Sequence, residues 1–220
     1  GTLARRCGVT DRWLDSGGTL VSSLFSADPS EQIRAALGGV TDALVFTDEN
    51  SPLVHTLRSC GIGQVVSQKP FAAGSRHIID YHLAVSGEPT GQSIDYPFIS
   101  IDTPPLPNLP PRYAVIHPGS GSSLKNWPLE RFLRVEHLLA RERLPVWWCL
   151  GPAEAQWRFT PAGQVLATPA VETLAPLLAH ARLFVGNDSG VSHLAAALGT
   201  PSVILFGPSD RRVWAPRGTH

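Results

Sequence analysis

Two glycine- and serine-rich turns carry the side chains of this chain best suited to chemistry. His117–Pro128 reads HPGSGSSLKNWP, with Gly119 and Gly121 set among Ser120, Ser122 and Ser123, and Lys125 just ahead of a helix-like stretch. Glycine permits backbone conformations that other residues resist, the hydroxyls are donors, and the lysine supplies charge, which together suit a diphosphate. The loop is not a Walker A motif. Leu124 precedes the lysine where that pattern needs glycine, and Asn126 follows it where the pattern needs serine or threonine. Leu124 also occupies the third glycine position of the dinucleotide fingerprint. The second turn lies in LFVGNDSGVSHLAAALGTPSVILFGPSDRRVWAP, Leu183 to Pro216. It places Asp188, Ser189, Gly190 and His193 at the mouth of a helix, where unpaired N–H groups and the helix dipole favour an anion. The same residues also suit a capped helix in an α/β core, with Asp188 as N-cap and His193 as a satisfied polar side chain. Gly151-Pro152-Ala153-Glu154 is a third such turn, where Glu154 offers either an acceptor for ribose hydroxyls or a helix-start charge.

These turns need elements that bring them together. Tyr113–His117, Leu144–Leu150, Gln164–Ala167, Arg182–Gly186 and Ser202–Phe206 read as strands. Pro128 opens a helix with Phe132, Val135 and Leu139 on one face. Val171–Ala181 is helical despite Pro176, and a helix over Ser189–Leu198 is ended by Gly199 and Pro201. Strands alternating with helices imply an α/β fold with a parallel, doubly wound sheet, whose ligands sit at the strands' carboxyl ends. All three turns follow strands, so they are expected to converge on one crevice.

The first half resembles the second but is less complete. Asp42–Thr47 and Gln64–Ser67 read as strands, and Ser30–Leu37, Pro52–Cys60 and His77–Val85 as helices. The proline-rich stretch Ile101–Arg112, IDTPPLPNLPPR, is the seam. The expected organisation is therefore an incomplete first half over 1–104, a linker over 105–112 and a second half over 113–220. The chain opens without the buried strand usual for such a half and stops soon after Arg217, so a fragment or trimmed relative is expected.

Lysine plus arginine equal aspartate plus glutamate at 18 each, so no net field draws the chain to nucleic acid. Cys7, Cys60 and Cys149 are far apart and form no C-x-x-C pair, which suits a reducing compartment and excludes a local zinc knuckle. With no run of apolar residues long enough to cross a bilayer and no secretory signal, the sequence reads as cytosolic.

In order and spacing, HPGSGSSLKNWPLERF, GPAE and FVGNDSGVSHLAAALGTPSVILFGPSDRRVWAP resemble the donor half of family 9 glycosyltransferases, the lipopolysaccharide heptosyltransferases and their relatives. The resemblance is strong over Tyr113–Pro216 and general before the linker. It implies a GT-B-like architecture of two Rossmann-like halves with parallel sheets, nucleotide sugar in the second and acceptor mainly in the first. It also implies an inverting transfer without metal or other cofactor, from a donor such as ADP-heptose to a lipid-linked saccharide, at the cytoplasmic side of the inner membrane. Carried over by position, Lys125 and Glu154 contact the donor and Asp188 holds sugar hydroxyls. Ser189, Gly190 and His193 cradle the diphosphate, with Ser120, Gly121 and Ser122 in the lysine loop. The family's general base is an aspartate in a Gly-Asp pair near the amino terminus. No such pair occurs in this first half, and Asp11 and Asp15 stand in a different context, so no base is named. A non-catalytic nucleotide-sugar-binding fragment and a GT-B epimerase remain the alternatives.

Overall fold

The computed structural model describes residues 10, 12, 14, 19–26, 28–71, 74–86, 99–101 and 104–218. Cys7, Asp11 and Asp15 lie outside them. The chain divides into two compact units, Thr10–Gln92 and Ser93–His220.

In the first unit, α1 (Thr19–Ser22) runs into a 3-10 turn over Ser23–Phe25, followed by α2 (Glu31–Ala36), β1 (Asp42–Val45), α3 (Pro52–Ser59), β2 (Gln64–Ser67) and α4 (Ile78–Ser86). Serine caps α2 and α3: Ser30 Oγ accepts from Ile33 N–H, and Ser51 Oγ from Leu53 N–H, both at 3.3 Å. Pro52 then sits in the first turn, where its missing donor costs nothing. β1 and β2 pair in parallel from Asp42 opposite Gln64 to Val45 opposite Ser67. Leu24, Ile33, Leu57 and Ile62 form the core.

The second unit holds β3 (Ala114–His117), α5 (Leu129–Arg141), β4 (Val146–Leu150), β5 (Gln164–Ala167), α6 (Val171–Ala179), β6 (Leu183–Asn187), α7 (Gly190–Ala197), β7 (Ser202–Leu205) and α8 (Arg211–Trp214). Its five strands are all parallel, in the order β5-β4-β3-β6-β7. The central strand β3 is buried on both faces, as its unbroken apolar run requires. Alternate strand residues feed two cores. Val115, Cys149 and Phe184 pack with Leu174, Leu177, Leu178 and Ala195 of α6 and α7. Ile116, Trp148 and Val185 pack with Phe132 of α5, and Leu133, Val135 and Leu139 join them. Side chains such as Phe132 and Trp148, fully removed from water, each contribute about 1.5–3 kcal/mol. Leu106 and Leu109 of the proline-rich stretch pack on the α6–α7 side.

Three local expectations need correction. Pro128 is the N-cap of α5 rather than its first residue. Ser189 caps α7 in place of Asp188: its backbone is extended, and its hydroxyl accepts from Ser192 N–H at 3.3 Å. Gly119 and Gly121 do not adopt the left-handed backbone that would demand glycine. Pro176 lies inside α6, within the buried run Leu174–Leu178.

Candidate functional site

The chain reverses direction across the sheet between β3 and β6, because β4 and β5 lie on one side of β3 while β6 and β7 lie on the other. Such a switch point leaves a crevice at the strands' carboxyl ends. A cleft of about 380 Å³ opens there. Its lining includes His117 at the end of β3 and Ser120 and Gly121 after it, the Gly151–Glu154 turn after β4, and Ser189 and Gly190 after β6. The three turns singled out in the sequence thus meet at one cleft. Val171, Leu174, Val191 and Leu194 give it an apolar floor.

Glu154 is 2% exposed at the third position of the 3-10 turn Pro152–Glu154. Its Oε2 accepts from Gly151 N–H at 2.7 Å. The carboxylate also explains Gly119: a Cβ at that position would lie 2.1 Å from Glu154 Cδ and Oε1. Glycine is there for close approach, not for an unusual φ. At Gly121 and Gly190 an added Cβ would meet nothing within 4 Å, so both present bare backbone to open space.

Lys125 and Asp188 form an ion pair, Nζ to Oδ2 at 2.8 Å, with the lysine side chain 35% exposed and the aspartate 6%. The ammonium is thereby anchored beside the mouth of α7, on a side chain of which about a third stays open to solvent. Ser120 Oγ is turned into its own loop, 2.7 Å from Ser122 O and from Asn126 Oδ1. Ser122 precedes the 3-10 turn that ends at Lys125, without a side-chain capping bond. His193 is half-buried in the first turn of α7, its N–H bonded to Ser189 O at 3.2 Å. Of the residues singled out, Ser120, Gly121, Glu154, Ser189 and Gly190 line the cleft directly. Ser122, Lys125, Asp188 and His193 are not among its lining residues. Lys125 instead borders a second hollow of about 110 Å³ with Trp127, Asn187 and Phe206. Among the described residues, no group of three or more His, Cys, Asp or Glu side chains could hold a metal ion, and no helix is long and apolar enough to cross a membrane.

Two residues of the site went unnoticed in the sequence. His117, 5% exposed, lines the cleft and bonds through Nδ1 to Cys149 O at 2.8 Å. A carbonyl only accepts, so Nδ1 carries the proton and the neutral ring keeps its lone pair on Nε2. Burial lowers the His117 pKa below the usual histidine value, against the smaller opposing pull of the Cys149 bond and the Glu154 charge. The Cys149 thiol is pushed up to about 12 by burial and then by Glu154, so it stays protonated. Asn187 is the other residue, wholly buried at the end of β6. The only sequence signal for either was position: each is the polar residue that closes an apolar strand.

Residues 86–220 match the family model described as glycosyltransferase family 9 (heptosyltransferase). Lipopolysaccharide heptosyltransferase 3 of Escherichia coli is 34% identical over 114 residues, covering 47% of this chain and 34% of that protein. The match spans about a third of the length of such curated relatives. A family 9 glycosyl transferase structure from Veillonella parvula DSM 2008 aligns over 100% of this chain and 73% of its own, with a TM-score of 0.72 and 17% identity. An E. coli heptosyltransferase solved with ADP aligns over 90% and 72%, with a TM-score of 0.59 and 23% identity. At those identities the two structures establish a common fold, GT-B-like α/β with parallel sheets.

Proposed function

The chain belongs to glycosyltransferase family 9, and from that premise we propose that its second unit is the nucleotide-sugar-binding lobe of a heptosyltransferase. The donor is a nucleoside diphosphate sugar of the ADP-heptose type, and the acceptor is a lipopolysaccharide-type saccharide on the cytoplasmic face of the inner membrane. Transfer proceeds with inversion and without a metal. The observation that carries this reading is the meeting of three post-strand turns at one cleft, with a lysine anchored beside it.

The parts divide the work by chemistry. The apolar floor takes the flat base, and the inner carboxylate of Glu154 accepts from ribose hydroxyls. The bare backbone at Gly121 and Gly190, with the mouth of α7, faces the diphosphate. Asp188 holds sugar hydroxyls, and Lys125 and His193 add charge and a donor. In transfer the acceptor hydroxyl bonds to the anomeric carbon as the bond to the diphosphate oxygen breaks. The electron pair departs with the diphosphate, and the hydroxyl proton passes to a general base. Negative charge therefore grows on the diphosphate. Donors already aimed at it stabilise that state without reorganising, and each is worth about 3–4 kcal/mol. The ion pair to Asp188 fixes Lys125 before the ligand arrives, which reduces the ordering cost of binding.

Titration calorimetry with ADP-, UDP- and GDP-sugars, run beside a turnover assay with a saccharide acceptor, tests the proposal. Binding of the ADP-sugar with transfer of its sugar supports it in full. Binding without transfer supports a non-catalytic binding module, and sugar isomerisation without acceptor supports an epimerase. An absence of heat with all three donors refutes the donor cleft itself.

A further inference from the structure

Asn187 is not among the cleft's lining residues, yet it joins the two loops that border it. Its side-chain amide is used at both ends: Oδ1 accepts from Trp127 N–H at 3.0 Å, and Nδ2 donates to Pro118 O at 2.6 Å. One partner can only donate and the other can only accept, so the surroundings fix which way the amide points. Pro118 and Trp127 bracket the loop that carries Gly119, Ser120, Gly121, Ser122 and Lys125. A single side chain, 0% exposed, therefore closes the neck of that loop. The backbone of Asn187 reaches the other way. Its carbonyl accepts from Ser192 Oγ, which lies 3.1 Å from Ser189 Oγ at the cap of α7. The next residue, Asp188, then holds the lysine near the loop's far end.

We infer that Asn187 is a positioning residue: it sets the spacing between the lysine loop and the mouth of α7, and through that spacing the grip on a diphosphate. The inference rests on the reading of the cleft as a nucleoside diphosphate site. It differs from a purely structural role in what a substitution should spare. A base and ribose rest mainly on the apolar floor and on Glu154, which Gly151 N–H holds and which meets the lysine loop at Gly119, so they depend on that loop's spacing far less than a diphosphate does.

The test is Asn187→Asp in the full chain, probed with ADP and with adenosine by ligand-observed NMR titration, beside the wild type at each pH. At about pH 8 the new carboxylate opposes Pro118 O and lacks a proton to donate. A buried carboxyl titrates well above its usual range, so by about pH 5.5 it is protonated and can remake both bonds. Running the wild type in parallel absorbs the effect of pH on the nucleotide and on the rest of the site. The expected result at the higher pH is a loss of ADP affinity of about tenfold or more, with adenosine within about twofold of wild type. At the lower pH the ADP gap closes. Equal losses for ADP and adenosine, or a fall in melting temperature with ADP affinity intact, overturn the inference. Asn187→Ser, which leaves space in place of charge, is the second variant and is expected to show the same selective loss at both pH values. If neither variant folds, Asn187 holds the lobe rather than its loops and the inference fails. If the wild type does not bind ADP, the donor-site reading fails instead.

Discussion

Replacing Lys125 by alanine should damage two properties at once, and the geometry lets them be separated. The lysine holds Asp188 at 2.8 Å, and the aspartate side chain is 6% exposed. Removing the cation strands a nearly buried carboxylate. Breaking a wholly buried pair costs about 3–5 kcal/mol, and an exposed pair is worth about 0–1. With the lysine one-third open to water, a cost of about 1–2 kcal/mol follows, or a fall in Tm of about 2–8 °C for a chain of this size. The lost contact to a diphosphate is a charge-assisted hydrogen bond worth about 1.5–3 kcal/mol, so ADP should bind about 10- to 150-fold more weakly. Adding Asp188→Asn removes the stranded charge without restoring the cation. The double variant should therefore regain most of the Tm but, still lacking the cation, stay well short of wild-type ADP affinity. Differential scanning calorimetry and ADP titration on the four proteins complete the cycle. A double variant that recovers affinity, or a single variant that binds ADP like the wild type, would refute the assignment of Lys125 to the anion.

Gly119→Ala should displace Glu154, whose carboxylate would lie 2.1 Å from the new Cβ. Overpacking of this kind costs about 1–3 kcal/mol, and binding of both ADP and adenosine should fall, as read by the same titrations. Glu136→Ala should separate stability from binding. That buried carboxylate accepts from Trp148 Nε1, Ala162 N–H and Gly163 N–H at 2.7, 3.1 and 2.7 Å. Orphaning those donors should cost about 3 kcal/mol or more in denaturant unfolding while ADP affinity stays within about twofold. The histidine predicts a pH dependence. With its folded pKa lowered beneath 6.5, His117 takes up more protons unfolded than folded between those two values. Stability should therefore rise with pH through that window and be lost as pH falls from 6.5 toward the folded pKa. Urea unfolding from about pH 5 to 8 should show this slope in the wild type and a flatter one in His117→Asn. An unchanged slope would assign the dependence to another group.

Some of this was legible in the chain and some was not, for physical reasons. β2 and β5 fall at the residues expected, Gln64–Ser67 and Gln164–Ala167, because turn-forming residues bound each short apolar run. The convergence of the three turns followed from strand–helix alternation alone, since parallel sheets put all post-strand loops at one end. Local competition was harder to read. Asp188 and Ser189 are both good N-caps; serine takes the cap, while the aspartate pairs with Lys125, 63 residues earlier. The role of Gly119 was misread for a similar reason: what excludes a side chain there is Glu154, a neighbour in space and not in sequence. His117 and Asn187 escaped notice because their partners, Cys149 O, Trp127 N and Pro118 O, lie 32 to 69 residues away. Backbone partners of that kind leave no mark in residue type.

The order of strands around β3 has one further consequence. The turns proposed to face the diphosphate spring from β3 and β6, whereas Val171 and Leu174, half of the apolar floor, come from α6, which neither turn joins. Bulk can be added or trimmed at Val171, the first residue of α6, outside the core in which Leu174 packs against Ala195 of α7. On the proposed reading, relatives built on this scaffold can exchange one nucleotide for another by resizing the wall at Val171, while the lysine loop keeps its form.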